Sequence, residues 1–317
     1  MAALAEPQGA AEPQVAVSAV VVNYNAGLVL AECVASLRAD GVAEVVVVDN
    51  GSRDDSLATL RQRDADTVWT EADENLGYGR AANLGARACH GRYLLVCNPD
   101  VVVRPGTVSA LVARLDRDLG AGIVGPRLVN ADGTLYPSAR TFPSLGDALG
   151  HGLLGLFWPG NRFSRRYKLL DWDHTETRVV DWVSGAFLVV RRDVWDGIDG
   201  FDPGYFMYME DVDLCWRASR AGWQVVYEPS AQVVHLQGLC TDRRPYRMIL
   251  AHHRSLWRFA WRSTDGWRRA LLPPIGLGLV ARAAVACGGK WRADLKDLAH
   301  PNRGRSRRSI RPDRRVS

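Results

Sequence analysis

Val15–Asn23 reads VAVSAVVVN and Glu44–Asp49 reads EVVVVD. Both runs are apolar and β-branched, without the alternation of a half-exposed strand. Each is therefore expected to be a strand buried on both faces. Between them, Leu28–Arg38 carries apolar residues at helical spacing. Asp54 or Asp55 then stands where it could cap a helix running through Arg63. Val68–Thr70 reads as a short strand, Gly79–Cys89 as an Ala-rich helix, and Tyr93–Cys97 (YLLVC) as a further buried strand ending at Asn98-Pro99-Asp100. Strands alternating with helices of about ten residues imply an α/β fold, a mostly parallel sheet covered by helices on both faces.

The rest of the chain is less regular. Residues 127–178 mix Pro, Gly and aromatics without a clear period, and they are expected to form loops and short elements over the sheet. Val179–Val190 (VVDWVSGAFLVV) reads as strand, break at Ser184-Gly185, strand. Met209–Ala221 reads as a helix closed by Gly222. Gln224–Tyr227 and Gln232–Leu236 read as two short strands.

With 317 residues, 47% hydrophobic and 24% charged, the chain can bury a sizeable core and is neither collagen-like nor wholly disordered. Its six cysteines (33, 89, 97, 215, 240 and 287) contain no CxxC pair. That spacing argues against a zinc cluster or a dense disulfide framework and suits a reducing compartment. The opening MAALAEPQGAAEPQ is acidic and has no apolar core, so a disordered arm over 1–14 is expected rather than a signal peptide.

Charge is distributed unevenly. Residues 1–240 hold 21 Lys/Arg and 30 Asp/Glu, whereas residues 241–317 hold 19 and 5. The last quarter is thus suited to an anionic partner. Nucleic acid is disfavoured, because aromatics do not interleave with the terminal basic run and no helix-turn-helix or RNA-binding signature appears. An anionic membrane surface remains. Ala270–Cys287 is the most apolar segment, but Pro273, Pro274 and Arg282 interrupt it, leaving an uncharged run shorter than a span needs. It is expected to lie in the membrane interface. The expected organisation is an arm at 1–14, a catalytic domain at 15–240, a helical membrane-surface segment at 241–300 and a basic, disordered tail at 301–317.

Four clusters could carry chemistry. Asp49-Asn50-Gly51-Ser52 closes the second strand, and ligands in open α/β sheets bind at such carboxyl ends. Taken alone, the cluster reads more readily as a helix-capping turn. No GxGxxG follows the first strand, which argues against a nicotinamide dinucleotide. Asn98-Pro99-Asp100 could hold a hard divalent cation such as Mg2+ or Mn2+, or be a plain turn. Glu210, Asp211 and Asp213 open a helix after the apolar Phe206-Met207-Tyr208-Met209. They could be dipole-favoured caps, or carboxylates tuned for general-base work. Glu210 and Asp213 share a helix face, and Asp211 points elsewhere. His235 ends the run QVVHL and is either a structural histidine or an imidazole ligand.

These signals occur in one order. VVNYN (21–25), VVVVDNGS (45–52), ENLGYGRAANLGAR (74–87), CNPDVVV (97–103), residues 182–223 and His235 resemble an inverting glycosyltransferase of the GT-A fold, family 2. LYPSARTFPS (135–144), GLFWPGNRF (155–163), FDPGYFMYMEDVDL (201–214) and HHRS (252–255) resemble its branch that adds rhamnose to a lipid-linked N-acetylglucosamine diphosphate. The resemblance implies a Rossmann-like GT-A catalytic domain with a C-terminal, helical, basic membrane-associating extension. It implies that Asp49 contacts the nucleotide base, with Asn23, Asn25, Asn75, Asn83 and Asn98 lining the nucleotide-sugar pocket. It implies Asp211 as the general base, Gly185 and Glu210 on the acceptor side, and Asp100 with His235 at a Mg2+ or Mn2+ ion. The implied partners are dTDP-L-rhamnose, a polyprenyl-diphospho-GlcNAc acceptor and an anionic membrane surface, at the cytoplasmic face of the plasma membrane. One position departs from the family pattern. Asn98 stands where the metal motif has its first acid, so weaker metal affinity is expected. Transfer of another sugar, such as galactofuranose or mannose, and a role as an inactive scaffold are the competing readings.

Overall fold

The computed structural model describes residues 16–142, 169, 171–236 and 245–299. The expected arm at 1–14, the tail at 301–317 and the motif at 155–163 lie outside the described residues. The chain divides into two compact units, Met1–Arg244 and Pro245–Ser317.

The first unit begins with β1 (Val17–Asn23), α1 (Val29–Ala39), β2 (Glu44–Asp49), α2 (Ser56–Arg63), β3 (Val68–Glu71), α3 (Tyr78–Ala86) and β4 (Tyr93–Cys97). There follow β5 (Val101–Val103), α4 (Thr107–Arg117), β6 (Ala121–Asn130), β7 (Leu135–Tyr136) and β8 (Ala139–Arg140). Then come β9 (Arg178–Val180), β10 (Trp182–Val183), β11 (Phe187–Arg191), α5 (Arg192–Gly197), α6 (Glu210–Arg220) and β12 (Gln224–His235). The main sheet runs β3-β2-β1-β4-β11-β6-β12-β5. Its first four strands are parallel. The rest is mixed: β11 runs antiparallel to β4 and β6, and β12 runs parallel to β6 and antiparallel to β5.

Every residue of β1 and β4 is buried, as the unbroken apolar runs imply. Helix α3 presses on this sheet so closely that a Cβ on Gly85 would fall 2.6 Å from Val20 and 2.7 Å from Val48. Parallel order places the ends of β1, β2 and β4 along one edge, with Asn23 directly beside Asp49.

The second half is more regular than expected. The looped reading from residue 127 onward is corrected by β6, a ten-residue strand reaching Asn130. Helix α4 was not anticipated. The two short strands expected at 224–227 and 232–236 are one strand, β12, with a register shift between Glu228 and Gln232.

The second unit comprises α7 (Pro245–Ser263), a 3-10 turn (Gly266–Leu271) and α8 (Leu272–Ala299). Pro273 and Pro274 sit in the first turn of α8, where backbone N–H groups have no intrahelical partner and proline is tolerated. The helix therefore continues for 28 residues. Gly266–Arg292 is long and apolar enough to cross a membrane, so the expectation that the segment falls short on length is corrected.

Candidate active site

At the end of β2, Asp49 is held from two sides. Asn23 Nδ2 donates to Asp49 Oδ1 at 2.8 Å, and the Ser52 backbone N–H donates to Oδ2 at 3.1 Å. Asn23 also donates to Ser56 Oγ at 2.9 Å and has no exposed surface. It is thus a residue that orients Asp49, rather than one lining the pocket as expected. Asn25 lies in the left-handed region (φ 52°) and accepts from the Arg53 backbone N–H at 2.8 Å. It pins the β1 loop to the β2 loop.

Asn75 Oδ1 accepts from Gly77 N–H at 2.9 Å and from Asn50 Nδ2 at 3.2 Å. Asn50 Oδ1 in turn accepts from Leu76 N–H at 2.8 Å. This stitch between the loops after β2 and before α3 gives Asn50, a member of the Asp49–Ser52 cluster to which the sequence assigned no role of its own, a positioning part. Asn83 was expected beside the nucleotide. Both ends of its amide bind the Phe201 backbone, at 2.7 and 2.9 Å, so it clamps α3 to the loop before α6.

Asn98, Asp100 and His235 converge across 137 residues of chain. The register of β12 on β5 sets His235 opposite Val101, next to Asp100. His235 Nε2 lies 3.3 Å from Asp100 Oδ1 and 3.3 Å from Asn98 Nδ2. The Tyr136 ring stands edge-on to the imidazole, with centroids 5.5 Å apart. Asp100 and His235 are buried, and Asp100 Oδ1 and His235 Nδ1 have no hydrogen-bond partner. A buried, unpartnered carboxylate oxygen beside an imidazole is a donor set that fits a divalent cation. Among the described residues no group of three or more His, Cys, Asp or Glu could enclose a metal. The fit is to an ion that also takes substrate phosphate oxygens.

The third cluster is at the start of α6. Tyr208 (φ 67°) and Met209 (φ 66°) are successive non-glycine residues in the left-handed region, a strained arrangement typical of functional loops. They set the carboxylates that follow. Asp211 Oδ2 accepts from the Gly185 N–H at 2.9 Å, and Oδ1 from its neighbour Val212 N–H at 2.9 Å. Gly185 is tight here: a Cβ would lie 3.2 Å from Asp211 Cβ. The Gly185 carbonyl accepts from the Tyr78 hydroxyl at 2.6 Å. Tyr78 is buried and was not singled out, although it sits inside ENLGYGRAANLGAR. Its N–H also bonds the Phe206 carbonyl at 3.0 Å, tying α3 to the strained loop.

Burial pushes the Asp211 carboxyl above the ordinary aspartate range, opposed by the Gly185 and Val212 N–H groups and by the charge of Arg140. Burial, with Asp211 beside it, pushes Glu210 up to about 8. Glu210 Oε2 is buried without a partner. Asp213 differs: it accepts from Tyr205 and pairs with Arg217 at 2.6 Å, which makes it part of the scaffold. The Tyr78 phenol is driven well above its usual pKa by burial, then by Cys97, Glu210, Asp211 and Asp100. One hydroxyl therefore senses all three carboxylates. The loop between β10 and β11 completes the link, since Ala186 O accepts from Asn98 N–H at 3.0 Å, one residue after Gly185 holds Asp211. Arg140, inside LYPSAR, was another residue left unassigned. Its guanidinium stacks on Trp182, 5.1 Å from the ring centroid, and its charge reaches Asp211.

The chain is similar to several known proteins. Residues 18–194 match the model of glycosyl transferase family 2. The chain is 40% identical over 266 residues to the N-acetylglucosaminyl-diphospho-decaprenol L-rhamnosyltransferase of Mycobacterium tuberculosis, covering 80% of this chain and 86% of that one. It is 29% identical over 167 residues to rhamnosyltransferase WbbL of Escherichia coli, covering 50% and 60%. Among solved structures, a mannosyltransferase from Pyrobaculum calidifontis in complex with GDP-Man and Mn2+ superposes with a TM-score of 0.54 at 18% identity, over 90% of this chain and 81% of that one. Staphylococcus aureus TarS 1-349 gives 0.52 at 15% identity, over 84% and 71%. At such identities the likeness is one of fold, the GT-A fold. With its family model spanning more than half of its length, the chain belongs to glycosyl transferase family 2 and is a glycosyltransferase.

Proposed function

We propose that this enzyme transfers L-rhamnose from dTDP-L-rhamnose to the 3-hydroxyl of N-acetylglucosaminyl-diphospho-polyprenol, with inversion at the anomeric carbon. The product belongs to the linker between peptidoglycan and arabinogalactan, and the enzyme works at the cytoplasmic face of the plasma membrane. Substrate choice rests on the relative of 40% identity that covers most of the chain. The reaction class rests on one observation: adjacent residues of a single loop, Gly185 and Ala186, hold Asp211 and Asn98.

Asp49 is the acceptor for the nucleotide base, kept in orientation by Asn23 and Ser52. Asp211 takes the proton from the acceptor hydroxyl as that oxygen attacks. Its two N–H donors fix the carboxylate plane, so the base needs no reorientation as the proton moves. Tyr78 holds Gly185 and, through it, Asp211. Glu210, neutral over much of the physiological range, adds no second negative charge beside the attacking oxygen. Asp100, His235 and the amide of Asn98 would hold Mg2+ or Mn2+, which supplies positive charge against the diphosphate leaving group.

The test is to incubate the full chain with dTDP-L-rhamnose and a short-chain GlcNAc-diphosphoprenol, with and without EDTA, and to follow the product by mass spectrometry. A mass gain of one deoxyhexose, lost with EDTA and restored by Mg2+ or Mn2+, is expected. Transfer from UDP-galactofuranose or GDP-mannose instead would reassign the donor.

A further inference from the structure

The outward face of α8 is apolar along most of the helix. Pro273, Pro274, Leu277, Val280, Ala284 and Trp291 are all exposed and lie on one side. Leu277 is 72% exposed and Val280 is 67% exposed, with nothing among the described residues of the unit covering them. Trp267 in the preceding turn is 77% exposed. On another side α8 packs against α7: a Cβ on Gly276 would fall 3.0 Å from the Trp257 ring. Leu272 and Ile275 are buried.

We infer that α8 lies in the plane of an anionic lipid bilayer, with its Leu277/Val280/Ala284 face in the acyl boundary and Trp267 and Trp291 at headgroup depth. This deepens the proposed membrane-surface function and rests on it. Three observations select lipid as the occupant. First, the stripe is bracketed by cations, with Arg268 and Arg269 before it and Arg292 after it. Second, the unit carries a large excess of Lys and Arg over acids, which complements anionic headgroups. Third, exposed tryptophans at both ends of an apolar face are the pattern of interfacial helices.

Length alone would also allow α8 to cross the membrane, but its packing argues against that. Helix α7 is joined to α8 by a short turn and carries Arg247, Arg254, Arg258 and Arg262. A spanning α8 would draw these guanidinium groups toward the hydrocarbon, along with its own Arg282, and each is costly there. Lying in the plane, α8 leaves all of them at the headgroups or in water.

The test uses the full chain and vesicles of phosphatidylcholine with or without phosphatidylglycerol. Wild type should co-float with the anionic vesicles and be released by alkaline carbonate. Leu277→Glu with Val280→Glu should weaken that binding by about tenfold or more. Ala284→Leu, which adds apolar surface without disturbing the fold, should strengthen it by at least about threefold. Circular dichroism checks the fold of each variant. Resistance to carbonate would overturn the in-plane placement in favour of a span. Unchanged vesicle binding in the variants would overturn the docking face, and if they also turn a dimer into a monomer, a second copy covers α8. Rhamnose transfer to a soluble short-chain acceptor without vesicles reads the proposed reaction separately. The variants should keep it, and its absence in wild type would fault the substrate assignment rather than the docking face.

Discussion

The Gly185 N–H and the Asp211 carboxylate are joined by a 2.9 Å hydrogen bond across 26 residues. It fixes the carboxylate beside a loop that also grips Asn98, so Asp211 and Asn98 share one support. Asp211→Asn keeps the size of the side chain but cannot accept the acceptor's proton. Turnover should fall by roughly 10²–10⁴-fold while binding of the nucleotide sugar survives. Steady-state rates with calorimetric titration of the nucleotide sugar check this. Near-normal turnover would remove Asp211 from its role.

The acidic limb of the pH–rate profile should report Asp211, at a pH above the ordinary aspartate range because burial disfavours its charged form. Arg140 opposes that shift with its positive charge. Arg140→Met should therefore let the pKa rise further and move the limb to higher pH. A limb that stays in place, or moves to lower pH, would detach Arg140 from the base.

Glu210 makes a separate prediction for stability. Its pKa rises from the ordinary 4.5 to about 8 in the fold, through burial first and the neighbouring Asp211 second. Across that window the folded chain holds a proton that the unfolded chain has lost. Stability is thus full below the unfolded value and declines as pH rises through the folded one. Melting temperatures measured from pH 5 to 9 should fall with pH in wild type and fall less in Glu210→Gln. Parallel curves for the two proteins would contradict the assignment.

Strands β1, β2 and β4 were legible because burial on both faces leaves an unbroken apolar run. Strand β6 was not, because AGIVGPRLVN looks like a loop. Its glycines answer to distant partners: a Cβ on Gly125 would fall 2.7 Å from Val183, and one on Gly122 would fall 2.8 Å from Trp223. Helix α4 hid for a related reason. Its buried Val108, Leu111 and Leu115 have helical spacing, but a left-handed Gly106 stands at its start in place of a capping side chain. In the site, residues at strand ends were legible, since parallel topology alone gathers Asp49 and Asp100 at one edge. Whether an amide there meets ligand or backbone depends on a loop far away in sequence. For that reason the fully buried Asn23 proved to be a support for Asp49, and Tyr78 went unnoticed.

In the proposed cation site Asn98 is the neutral corner. Replacing it with the acid that the family motif has there adds a charge 3.3 Å from His235. A carboxylate there would bring the cation a full negative charge where the amide brings only a dipole. Asn98→Asp should bind Mn2+ about tenfold more tightly, and Asp100→Ala should bind it at least about tenfold more weakly. Metal-activation curves and Mn2+ electron paramagnetic resonance measure both. If Asp100→Ala leaves both readouts untouched, the cation sits elsewhere.

Tyr78 tests whether the support beneath the base matters to turnover. Tyr78→Phe deletes the hydroxyl that donates to the Gly185 carbonyl at 2.6 Å and keeps the ring packed edge-on to Phe201, 5.9 Å between centroids. A buried carbonyl left without its donor destabilises by about 1–3 kcal/mol, so the melting temperature should drop by several degrees. Gly185 is also the donor to Asp211, so the base should lose part of its alignment. We therefore expect kcat to fall several-fold, with KM for the nucleotide sugar little changed, because the Asp49 pocket is held by a separate set of bonds. A lower melting temperature with unchanged kcat would reduce Tyr78 to a packing residue. A rise in KM alone would place it on the donor side instead.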